Sequence, residues 1–558
     1  MVYVIVIILL VAATANFFWR RRQQATVLRK LRRRWGQPKR ASAKSQLERI
    51  ALYDRLKDRD SVNGLDDKTW EDLNLDLVFE YIDRTTSRVG QQFLFYLLKN
   101  PHSEQEPLRK FERLINCFSN AGLRESLQVE LHRLRHKDAL FLPYLFLEEL
   151  PSFQRQRFVF LSLSIVTLAS IAGAFFFTSF RVIAVLLAIT NMCVSLYYRR
   201  QLEVFIQPLR LLNQMINTAE RIADKFAGSE ISDETEKLKD KVERLSGLQR
   251  KTAVLTFDRQ SDDLSTMIYN YLNMVLLLDV NCFAFAVEEL ENKRADVAAI
   301  YEGLGYLDAA ISVASVRHGR PDLTTPIFID RRKACRFTQL YHPLLESPVP
   351  NDLTVNGKGI LLTGSNMSGK STFIRTVGVN AVLAQSIHSC FAHEYRAPFL
   401  DVRACLGATD SLTEGKSYYF AEVENVLSLV TAAQSGKQCL FLLDELFRGT
   451  NTTERVAAAK AILEYMNRGD NIVMIATHDI ELAELLDQQY VSHHFREIIH
   501  DQQMSFDYKL QPGTSSTRNA IAILSMFGYP RPVVDEALDV VDHLAQNKSK
   551  PRKHWFFG

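Results

Sequence analysis

The sequence predicts a helix-rich chain that ends in an α/β domain, and three observations lead to this fold class. Glycine and proline are scarce, with 23 and 16 in 558 residues, which favours helices over an all-β architecture. Two long apolar blocks, residues 2–18 and 158–198, are typical of membrane-spanning helices. From about Pro326, short apolar runs alternate with helical segments, which predicts a largely parallel sheet covered by helices. A chain of this length predicts two to four domains.

The composition excludes several classes of protein. With 47% hydrophobic and 24% charged residues, the chain can build large cores, so it is not mainly disordered, collagen-like or a small disulfide scaffold. The seven cysteines are scattered and never form a C-x-x-C motif. This distribution indicates neither a disulfide framework nor a zinc site, and it favours a reducing compartment.

The net charge of +4 averages over unlike regions. Residues 1–47 hold eleven Lys and Arg and no acidic residue, and residues 546–558 hold four Lys and Arg. The part between them carries 53 basic and 64 acidic residues, a net charge of −11. That part is not a general polyanion binder, although a local basic patch is compatible with it.

The N-terminal apolar block predicts a transmembrane helix over residues 1–18, followed by a basic juxtamembrane segment over residues 19–47. Residues 2–18 carry no charge, at the short end of what crosses about 30 Å of hydrocarbon. A dense run of arginines follows, as expected of a cytoplasmic flank. The alternative is a cleaved signal peptide, with residues 13–15 (ATA) as its cleavage site. The absence of Lys or Arg before the apolar block disfavours it.

The second apolar block predicts a transmembrane helical hairpin over residues 158–198. Its only charge is Arg181, which lies in the link between two halves, Phe158–Phe177 and Val182–Tyr198. Arginines at positions 155, 157, 199 and 200 place both ends on the cytoplasmic side. The alternative is a pair of buried helices in a soluble core, but such helices usually keep a polar face. We therefore expect a multi-pass protein of the inner (cytoplasmic) membrane, with its N-terminus outside and everything after the hairpin cytoplasmic.

Charged helical patterns flank the hairpin over residues 48–150 and 199–320, which predicts two parts of one all-α region. The C-terminal domain is expected over residues 325–545. The last residues, 546–558, form a basic-aromatic tail, for which contact with lipid and a disordered terminus are both open.

A phosphate-binding motif follows the first apolar run of the C-terminal domain. Residues 364–372 (GSNMSGKST) match G-x-x-x-x-G-K-[ST] between a predicted strand and a predicted helix. The glycines let backbone N–H groups surround phosphate oxygens, and the helix N-terminus adds partial positive charge. We expect Lys370 to reach the β/γ-phosphates of ATP and Ser371 to bind Mg²⁺. The predicted ATP-binding residues are Gly364, Ser365, Asn366, Met367, Ser368, Gly369, Lys370, Ser371 and Thr372.

Two later strands end in residues suited to the same chemistry. The run Leu440–Leu443 leads into Asp444, placed to bind Mg²⁺, and Glu445, placed to orient or deprotonate the attacking water. The run Ile472–Ala476 leads to His478, which could sense the γ-phosphate. The sequence thus predicts Glu445, Lys370 and His478 as catalytic residues, Ser371 and Asp444 as Mg²⁺ ligands, and ATP and Mg²⁺ as cofactors.

These motifs resemble those of the MutS family of DNA mismatch-repair ATPases. The Asn-Met pair inside the phosphate-binding loop is typical of that family, and the remaining matches occur in the family's order. They are His342-Pro343, residues 349–352 (VPND), Asp444-Glu445-Leu446, residues 448–450 (RGT), Ala476-Thr477-His478, residues 508–510 (YKL), Gly513 and Gly528. The resemblance is strong over residues 325–545. It implies an α/β P-loop ATPase domain of the ABC type at the C-terminus.

Weaker matches extend the resemblance to residues 70–150 and 200–320. Asp83-Arg84-Thr85 with Gly90 is similar to the opening of the family's helical core, and Leu307-Asp308 resembles the helix that leads to the ATPase domain. Gln92 stands where the family commonly has Arg. The resemblance therefore implies a helical core and lever region, residues 48–150 and 199–320, which the transmembrane hairpin interrupts.

The resemblance also implies a homodimer with two composite ATP sites. Residues 417–422 (SYYFAE) are similar to the family's Ser-Thr-x-x-x-Glu segment, whose serine completes the ATP site of the opposite subunit. Ser417 is therefore predicted to complete that site in trans. The chain departs from the family with Tyr418 in place of Thr, Phe447 in place of a frequent Gly, and Asp479 in place of a frequent aromatic residue.

Three functions from different classes fit these observations. The first is a membrane-anchored ATPase that acts as a conformational switch on an unidentified protein partner. The second is a DNA-binding ATPase of mismatch repair tethered to the membrane. DNA is implied by the family, but the net charge of −11 does not support it, and no counterpart of the family's mismatch-recognition domain is expected before the core. The third is a transporter ATPase, disfavoured because the apolar blocks contain no Asp, Glu or Lys. The basic segment is expected to bind anionic lipids.

Overall fold

The chain divides into a helical unit and an α/β unit. In this computed structural model, the structure describes residues 14, 21–39, 44–57, 64–153, 156–252, 271–365, 368–407, 418–447, 450–500, 503–514, 521, 524 and 527–548. Unit 1 comprises Met1–Gly64, Asp76–Pro321 and Ser386–His388, and unit 2 comprises Leu65–Leu75, Asp322–Gln385 and Ser389–Gly558. The prediction of an α/β C-terminal part after a helical region is confirmed.

Unit 1 is built from helices. Those that lie in it, wholly or nearly so, are residues 21–34, Lys44–Ile50, Leu52–Lys57, Leu75–Ile82, Arg88–Lys99, Gln105–Cys117, Ala121–Leu131, Tyr144–Leu147, Gln156–Gly173, Thr178–Lys225, Ser232–Thr252, residues 271–276, Leu278–Asn292 and Arg294–Gly319, with short 3-10 turns at His132–Leu134 and Lys137–Phe141. Most are amphipathic, so each buries one apolar stripe against its neighbours.

The helix Arg294–Gly319, here called the core helix, is the centre of unit 1. Its residues from Leu307 to Val316 are almost all buried, and it packs along the helix Arg88–Lys99. Tyr301 packs against Tyr53 with the ring centroids 5.0 Å apart and the ring planes tilted by 39°, and it donates a hydrogen bond to Gln92 Oε1. Gln92 also donates to the carbonyls of Arg49 and Leu140. A glutamine at position 92 therefore satisfies a buried polar cluster without adding a charge.

A buried carboxylate ties the core helix to the start of the helical region. Asp308 is fully buried and accepts hydrogen bonds from the backbone N–H groups of Thr86 and Ser87 and from the Ser87 hydroxyl, at 2.6–3.1 Å. Burial raises the pKa of Asp308, and these hydrogen bonds oppose the shift. A Cβ on Gly90 would lie 2.3 Å from Asp308 Oδ2, so only glycine fits there.

The basic helix of residues 21–34 is attached to this core by its C-terminal end. Trp35 lies 3.8 Å from the Arg124 guanidinium, and the Gly36 N–H donates to the Ser315 hydroxyl. Arg32 forms a bidentate ion pair with Glu125. The other arginines and the lysine of this helix, which the sequence assigns to the juxtamembrane segment, are exposed to solvent.

Two antiparallel helices occupy the region of the predicted hairpin. Gln156–Gly173 and the 48-residue helix Thr178–Lys225 are joined by a turn at residues 174–177. The predicted link at residues 178–181 was wrong, since Arg181 lies in the first turn of the second helix and donates a hydrogen bond back to the Ala174 carbonyl. In the part of the chain that the structure describes, three helices are long and apolar enough to cross a membrane. Two are the hairpin segments Gln156–Gly173 and Thr178–Tyr198, of which only 22% and 17% is buried. The third is the core helix, which is 72% buried inside unit 1 and packs as a core element.

One face of the hairpin packs against a broken helix. Residues 271–276 and Leu278–Asn292 are helical, and Leu277 between them has φ of +49°. The break leaves carbonyls without a helical partner, and hairpin side chains bind them. Asn191 donates to the Val275 carbonyl at 2.7 Å and to Thr167, while Ser164 donates to the Leu276 carbonyl at 2.7 Å.

The described residues of unit 2 form ten strands in two sheets. The strands are β1 Ile327–Phe328, β2 Ala334–Leu340, β3 Asn351–Asn356, β4 Gly359–Thr363, β5 Glu394–Ala397, β6 Asp401–Cys405, β7 Cys439–Asp444, β8 Ile472–Ala476, β9 Tyr490–His500 and β10 Gln503–Pro512. The smaller sheet has the order β1-β5-β2-β3, and the larger has the order β10-β9-β4-β8-β7-β6. The helices are Asp67–Asp72, Lys370–Ile387, Tyr418–Ala432, Thr452–Met466, Ile480–Leu485 and Arg531–Lys548.

The larger sheet is parallel except at β10. β4 pairs with β8 and β9, β8 with β7, and β7 with β6, all in parallel, while β10 pairs antiparallel with β9. Every residue of β4, β7 and β8 is buried, which is why these segments appear as continuous apolar runs. The three predicted strands are present within one residue of their expected bounds.

The α/β unit also includes a segment from the N-terminal half of the chain. In the short helix Asp67–Asp72, the Thr69 hydroxyl accepts a hydrogen bond from the Ala404 N–H, and Asp72 accepts one from the Leu406 N–H. These contacts fix the edge strand β6. The predicted bounds of the domain, 325–545, do not contain this segment.

Two predicted segments lie outside the described residues. The N-terminal transmembrane helix is described only at Thr14, and the tail is not described beyond Lys548. Both remain predictions from the sequence.

Substitution of Gly90 by Ala should destabilise unit 1. Because the new methyl group would meet the buried carboxylate of Asp308, we expect a loss of about 1–3 kcal/mol in the free energy of unfolding. Thermal unfolding in detergent measures the effect. Gly122→Ala is the matched control, since this exposed helical glycine has only a 3.4 Å neighbour and should be neutral or slightly stabilising. Equal melting temperatures for both variants would contradict the assignment.

Candidate functional site

The ends of three parallel strands create the candidate site. β8 lies between β4 and β7 in the larger sheet, so the residues that follow these strands meet at one edge. They are the loop of residues 364–369 after β4, Thr477 and His478 after β8, and Glu445 after β7, with Asp444 as the last residue of β7. Ligands in open α/β sheets bind at this edge.

Glycine geometry shapes the loop after β4. Gly364 has φ of +136° and Gly369 has φ of +109°, conformations that L side chains rarely adopt. A Cβ on Gly364 would lie 2.6 Å from the Phe495 carbonyl oxygen. The loop is thus held close to β9, and it leads directly into the helix Lys370–Ile387.

Lys370 lies over this loop. Its ammonium donates hydrogen bonds to the carbonyls of Gly364 and Ser365, both at 2.7 Å, and lies 3.5 Å from His478 Nε2. The side chain is buried, so its charge acts in a region of low dielectric constant.

Ser371 and Asp444 are in direct contact in the site. The Ser371 hydroxyl donates to Asp444 Oδ2 at 2.5 Å, which joins the start of the helix to the end of β7. A hydroxyl and a carboxylate are hard oxygen ligands of the kind that Mg²⁺ prefers. The structure therefore brings together the two side chains that the sequence predicts as Mg²⁺ ligands.

Glu445 and His478 form a second pair. His478 Nε2 lies 2.9 Å from Glu445 Oε1, and the Glu445 N–H donates to the Ala476 carbonyl at the end of β8. Glu445 has φ of +50°, so the backbone turns sharply directly after β7. The Glu445 carboxylate thus lies beside His478, which follows β8.

A cavity of about 480 Å³ lies above these groups. It is within the usual size range of ligand pockets, about 300–1,000 Å³. Besides the predicted residues, its lining includes His342, Asn351 and Tyr508. Burial, assisted by the nearby Arg375, lowers the pKa of His342 to about 4, so its ring is neutral at physiological pH.

A phosphate-bearing ligand fits the polar groups of this cavity. Lys370, Ser371 and Thr372 supply a charged group and two hydroxyl groups to its lining. The Ser368 hydroxyl oxygen is buried close to Gly364 and has no hydrogen-bond partner among the described residues. No group of three or more His, Cys, Asp or Glu side chains in the described part of the chain could hold a metal by itself. Mg²⁺ usually needs only one or two protein ligands together with phosphates and water, and Ser371 and Asp444 meet that requirement.

Two contacts near the site involve residues without a predicted role. Arg455, at the start of the helix Thr452–Met466, forms a bidentate ion pair with Asp479 at 2.6 and 2.9 Å. Glu422 accepts a hydrogen bond from the Phe447 N–H. The ion pair with Arg455 gives a structural reason for an aspartate at position 479, where the family often has an aromatic residue. The sequence could not predict this pair, because the separation of residues 455 and 479 follows neither a helical nor a strand repeat. The sequence identified Glu422 only as the last residue of the motif at residues 417–422 and did not indicate its contact with Phe447.

Several predicted site residues lie outside the described part of the chain. They are Asn366 and Met367 in the loop, Ser417 in the segment predicted to act in trans, and Arg448 and Gly449 after β7. The other predicted site residues line the cavity, except Gly364 and Ser368, which lie in the loop outside its lining.

The chain is similar to proteins of one family over its C-terminal part. Residues 360–545 match the model of the family described as MutS domain V. The chain is 33% identical over 267 residues to the DNA mismatch repair protein MutS of a strain of Thermus thermophilus, which covers 46% of this chain and 32% of that protein. It is 29% identical over 290 residues to the protein of the same name from a strain of Exiguobacterium, covering 49% of this chain and 33% of that protein.

A third relative comes from an archaeon. The DNA mismatch repair protein MutS 2 of Halobacterium salinarum is 30% identical over 277 residues, which covers 48% of this chain and 31% of that protein. The match thus spans about a third of the length of these relatives. The strand ends described above lie within the matched residues, so the candidate site belongs to the part of this chain that is similar to MutS domain V.

Proposed function

We propose that this protein is a membrane-anchored, dimeric, Mg²⁺-dependent ATPase of the MutS type that works as a conformational switch. The observation that carries the proposal is the convergence of Lys370, the Ser371–Asp444 pair and the Glu445–His478 pair on one cavity. A cation, a hard-ligand pair and a carboxylate at one strand edge are the groups that phosphoryl transfer to water requires.

Each group has a separate role in this proposal. Lys370 binds phosphate oxygens, and Ser371 and Asp444 hold the metal ion. Glu445 orients the attacking water and accepts its proton, and His478 holds the Glu445 carboxylate in place through the 2.9 Å contact. Bound Mg²⁺-ATP supplies the transferable phosphoryl group and neutralises part of its charge.

A second copy of the chain is the proposed partner in hydrolysis. The helix Tyr418–Ala432 begins directly after Ser417, the residue expected to complete the site of the opposite subunit. On this helix Phe420 and Leu427 are 64% and 61% exposed. Large exposed apolar side chains beside a predicted inter-subunit residue favour burial against another chain.

The exposed apolar surface of the hairpin supports anchoring in the membrane. Phe175 and Phe176 at its turn are more than 80% exposed, and apolar residues along both helices are exposed as well. In water such a surface is unfavourable by about 25 cal/mol per Å². In a bilayer it is solvated by lipid chains, and the exposed arginines of residues 21–34 would add an electrostatic attraction to anionic lipids.

The broken helix could transmit a conformational change from the core helix to the hairpin. Its carbonyls at Val275 and Leu276 are bound by side chains of the hairpin, and the same stretch of chain continues into the core helix and then into residue 322 of unit 2. A shift of the core helix would therefore stretch these hydrogen bonds. Polar contacts of this kind inside a membrane are specific because the alternative is an unsatisfied group.

DNA is the alternative ligand, since the printed names of the relatives contain DNA mismatch repair. The exposed cations of residues 21–34 are the observation that would favour it. Binding by those residues would be strongly salt-dependent.

The deciding experiment measures the ATPase rate of the full chain in nanodiscs of anionic lipid. Homoduplex DNA, mismatched DNA and no DNA are compared at two salt concentrations. A rate that responds to lipid composition and ignores DNA supports the membrane switch. Stimulation by mismatched DNA that is lost at high salt would favour the repair function, and absence of turnover in every condition would overturn the ATPase.

Substitution of Lys370 by Ala should abolish ATP binding. The loss is expected to reach on the order of 100-fold in Kd, because each charged hydrogen bond to phosphate contributes about 1.5–3 kcal/mol. Equilibrium binding of a fluorescent ATP analogue measures it. Lys437→Ala, an exposed lysine before β7, is the control and should bind normally. Normal binding by the Lys370 variant would exclude the proposed phosphate contact.

Substitution of Glu445 by Gln should separate binding from turnover. We expect ATP affinity close to that of the unmodified protein and a kcat lower by about 10²–10⁴-fold, since the general base is lost. Steady-state phosphate release and analogue binding measure the two effects. Glu454→Gln, an exposed carboxylate on the next helix, should change neither quantity. A Glu445 variant that hydrolyses ATP at the normal rate would disprove the catalytic assignment.

An arginine in the middle of the hairpin should impair membrane insertion. Leu168 is 51% exposed, and at the centre of a spanning helix Arg is unfavourable by about 2.5–3.5 kcal/mol. We expect a smaller fraction of Leu168→Arg protein in the carbonate-resistant membrane pellet. Leu77→Arg introduces the same charge at a leucine that is 54% exposed outside the hairpin and should partition normally. If Leu168→Arg also partitions normally, the hairpin is not embedded.

A further inference from the structure

The helix Tyr418–Ala432 has an outer apolar face and an inner face that is part of the core of unit 2. Val426 and Leu429 on the inner face pack in the same hydrophobic cluster as Leu446 and Phe447, the residues that follow Glu445. Glu422 also lies on the inner side and is only 5% exposed. A carboxylate placed there must be held by hydrogen bonds, because burial without them is unfavourable.

Glu422 binds the backbone that follows the proposed catalytic residue. Its Oε1 accepts a hydrogen bond from the Phe447 N–H at 2.5 Å, across 25 residues of sequence. Hydrogen bonds from backbone N–H groups to carboxylates are among the stronger ones in proteins. The Tyr419 ring adds a contact with the Phe447 ring, with centroids 6.1 Å apart. The first turn of the helix is thus joined to the segment after β7.

The segment held in this way has an unfavourable backbone conformation. Glu445 and Phe447 have φ of +50° and +61°, where residues other than glycine are strained. Such a conformation persists only where surrounding contacts impose it. Two hydrogen bonds hold the backbone N–H groups of these residues, that of Glu445 to the Ala476 carbonyl and that of Phe447 to Glu422. The Phe447 carbonyl also accepts a hydrogen bond from the Thr450 N–H.

We propose that Glu422 is a positioning residue that holds Glu445 in its hydrolytic position. The proposal rests on the ATPase function proposed above. Glu422 binds the Phe447 N–H, two residues after Glu445. Loss of this hydrogen bond would let the strained backbone relax and move the Glu445 carboxylate away from its place beside His478.

Two substitutions at position 422 distinguish the effect of the hydrogen bond on kcat from the effect of the negative charge. Glu422→Ala removes the acceptor and should lower kcat by about 10- to 100-fold, as expected when a catalytic group is displaced. Glu422→Gln keeps an oxygen that accepts from the same N–H and should retain kcat within about threefold. In both variants the KM for ATP should stay within about threefold, because the phosphate-binding groups are untouched. Rates are expressed per bound nucleotide, so unfolded protein does not contribute.

Glu424→Gln is the matched control, since this carboxylate lies on the same helix and is exposed. It should leave kcat unchanged. Equal losses in the Ala and Gln variants would overturn the hydrogen-bond role, as would unchanged kcat in both. If the unmodified protein does not hydrolyse ATP, the proposed function fails together with this inference. If it does hydrolyse ATP and only the position 422 effects are missing, this inference alone fails.

Discussion

The parallel order β4-β8-β7 is the constraint on which the α/β unit depends. Only with β8 between the other two strands do Lys370, His478 and Glu445 meet at one edge. The order is maintained by strands without a single exposed residue, so that any slip in register would move buried side chains into unfavourable positions. Packing of the buried strands therefore determines where the polar residues at their ends lie, and the proposed chemistry depends on that placement.

Much of this arrangement could be predicted because it depends on local patterns. Fully buried parallel strands appear as apolar runs, and glycine, lysine and acidic residues directly after them mark the edge at which they act. The hairpin was predictable for the same reason, since an apolar stretch with charges only at its ends has few alternatives. Gly90 was recognised by resemblance alone. Its physical reason, the carboxylate of Asp308 against its Cα, appears only in the structure.

The features that the sequence did not predict depend on contacts between distant residues. Glu422 and Phe447 are 25 residues apart, Arg455 and Asp479 are 24 apart, and neither pair follows the spacing of a helix or a strand. The core helix is a case in which a local pattern alone would mislead. By length and hydropathy it qualifies as a membrane span, yet its apolar residues face protein on most sides. Composition cannot distinguish a helix surrounded by lipid from one surrounded by other helices.

The carboxylate of Asp308 also fixes the order of events during biosynthesis. Its partners Thr86 and Ser87 are made more than 200 residues earlier, and the hairpin is made between them. When the first part of unit 1 leaves the ribosome, Asp308 has not yet been synthesised, so the N–H groups of Thr86 and Ser87 lack this acceptor. The exposed apolar surface of the hairpin emerges while that half is open, and synthesis of the core helix then closes it. The nascent chain therefore needs protection from aggregation over this interval.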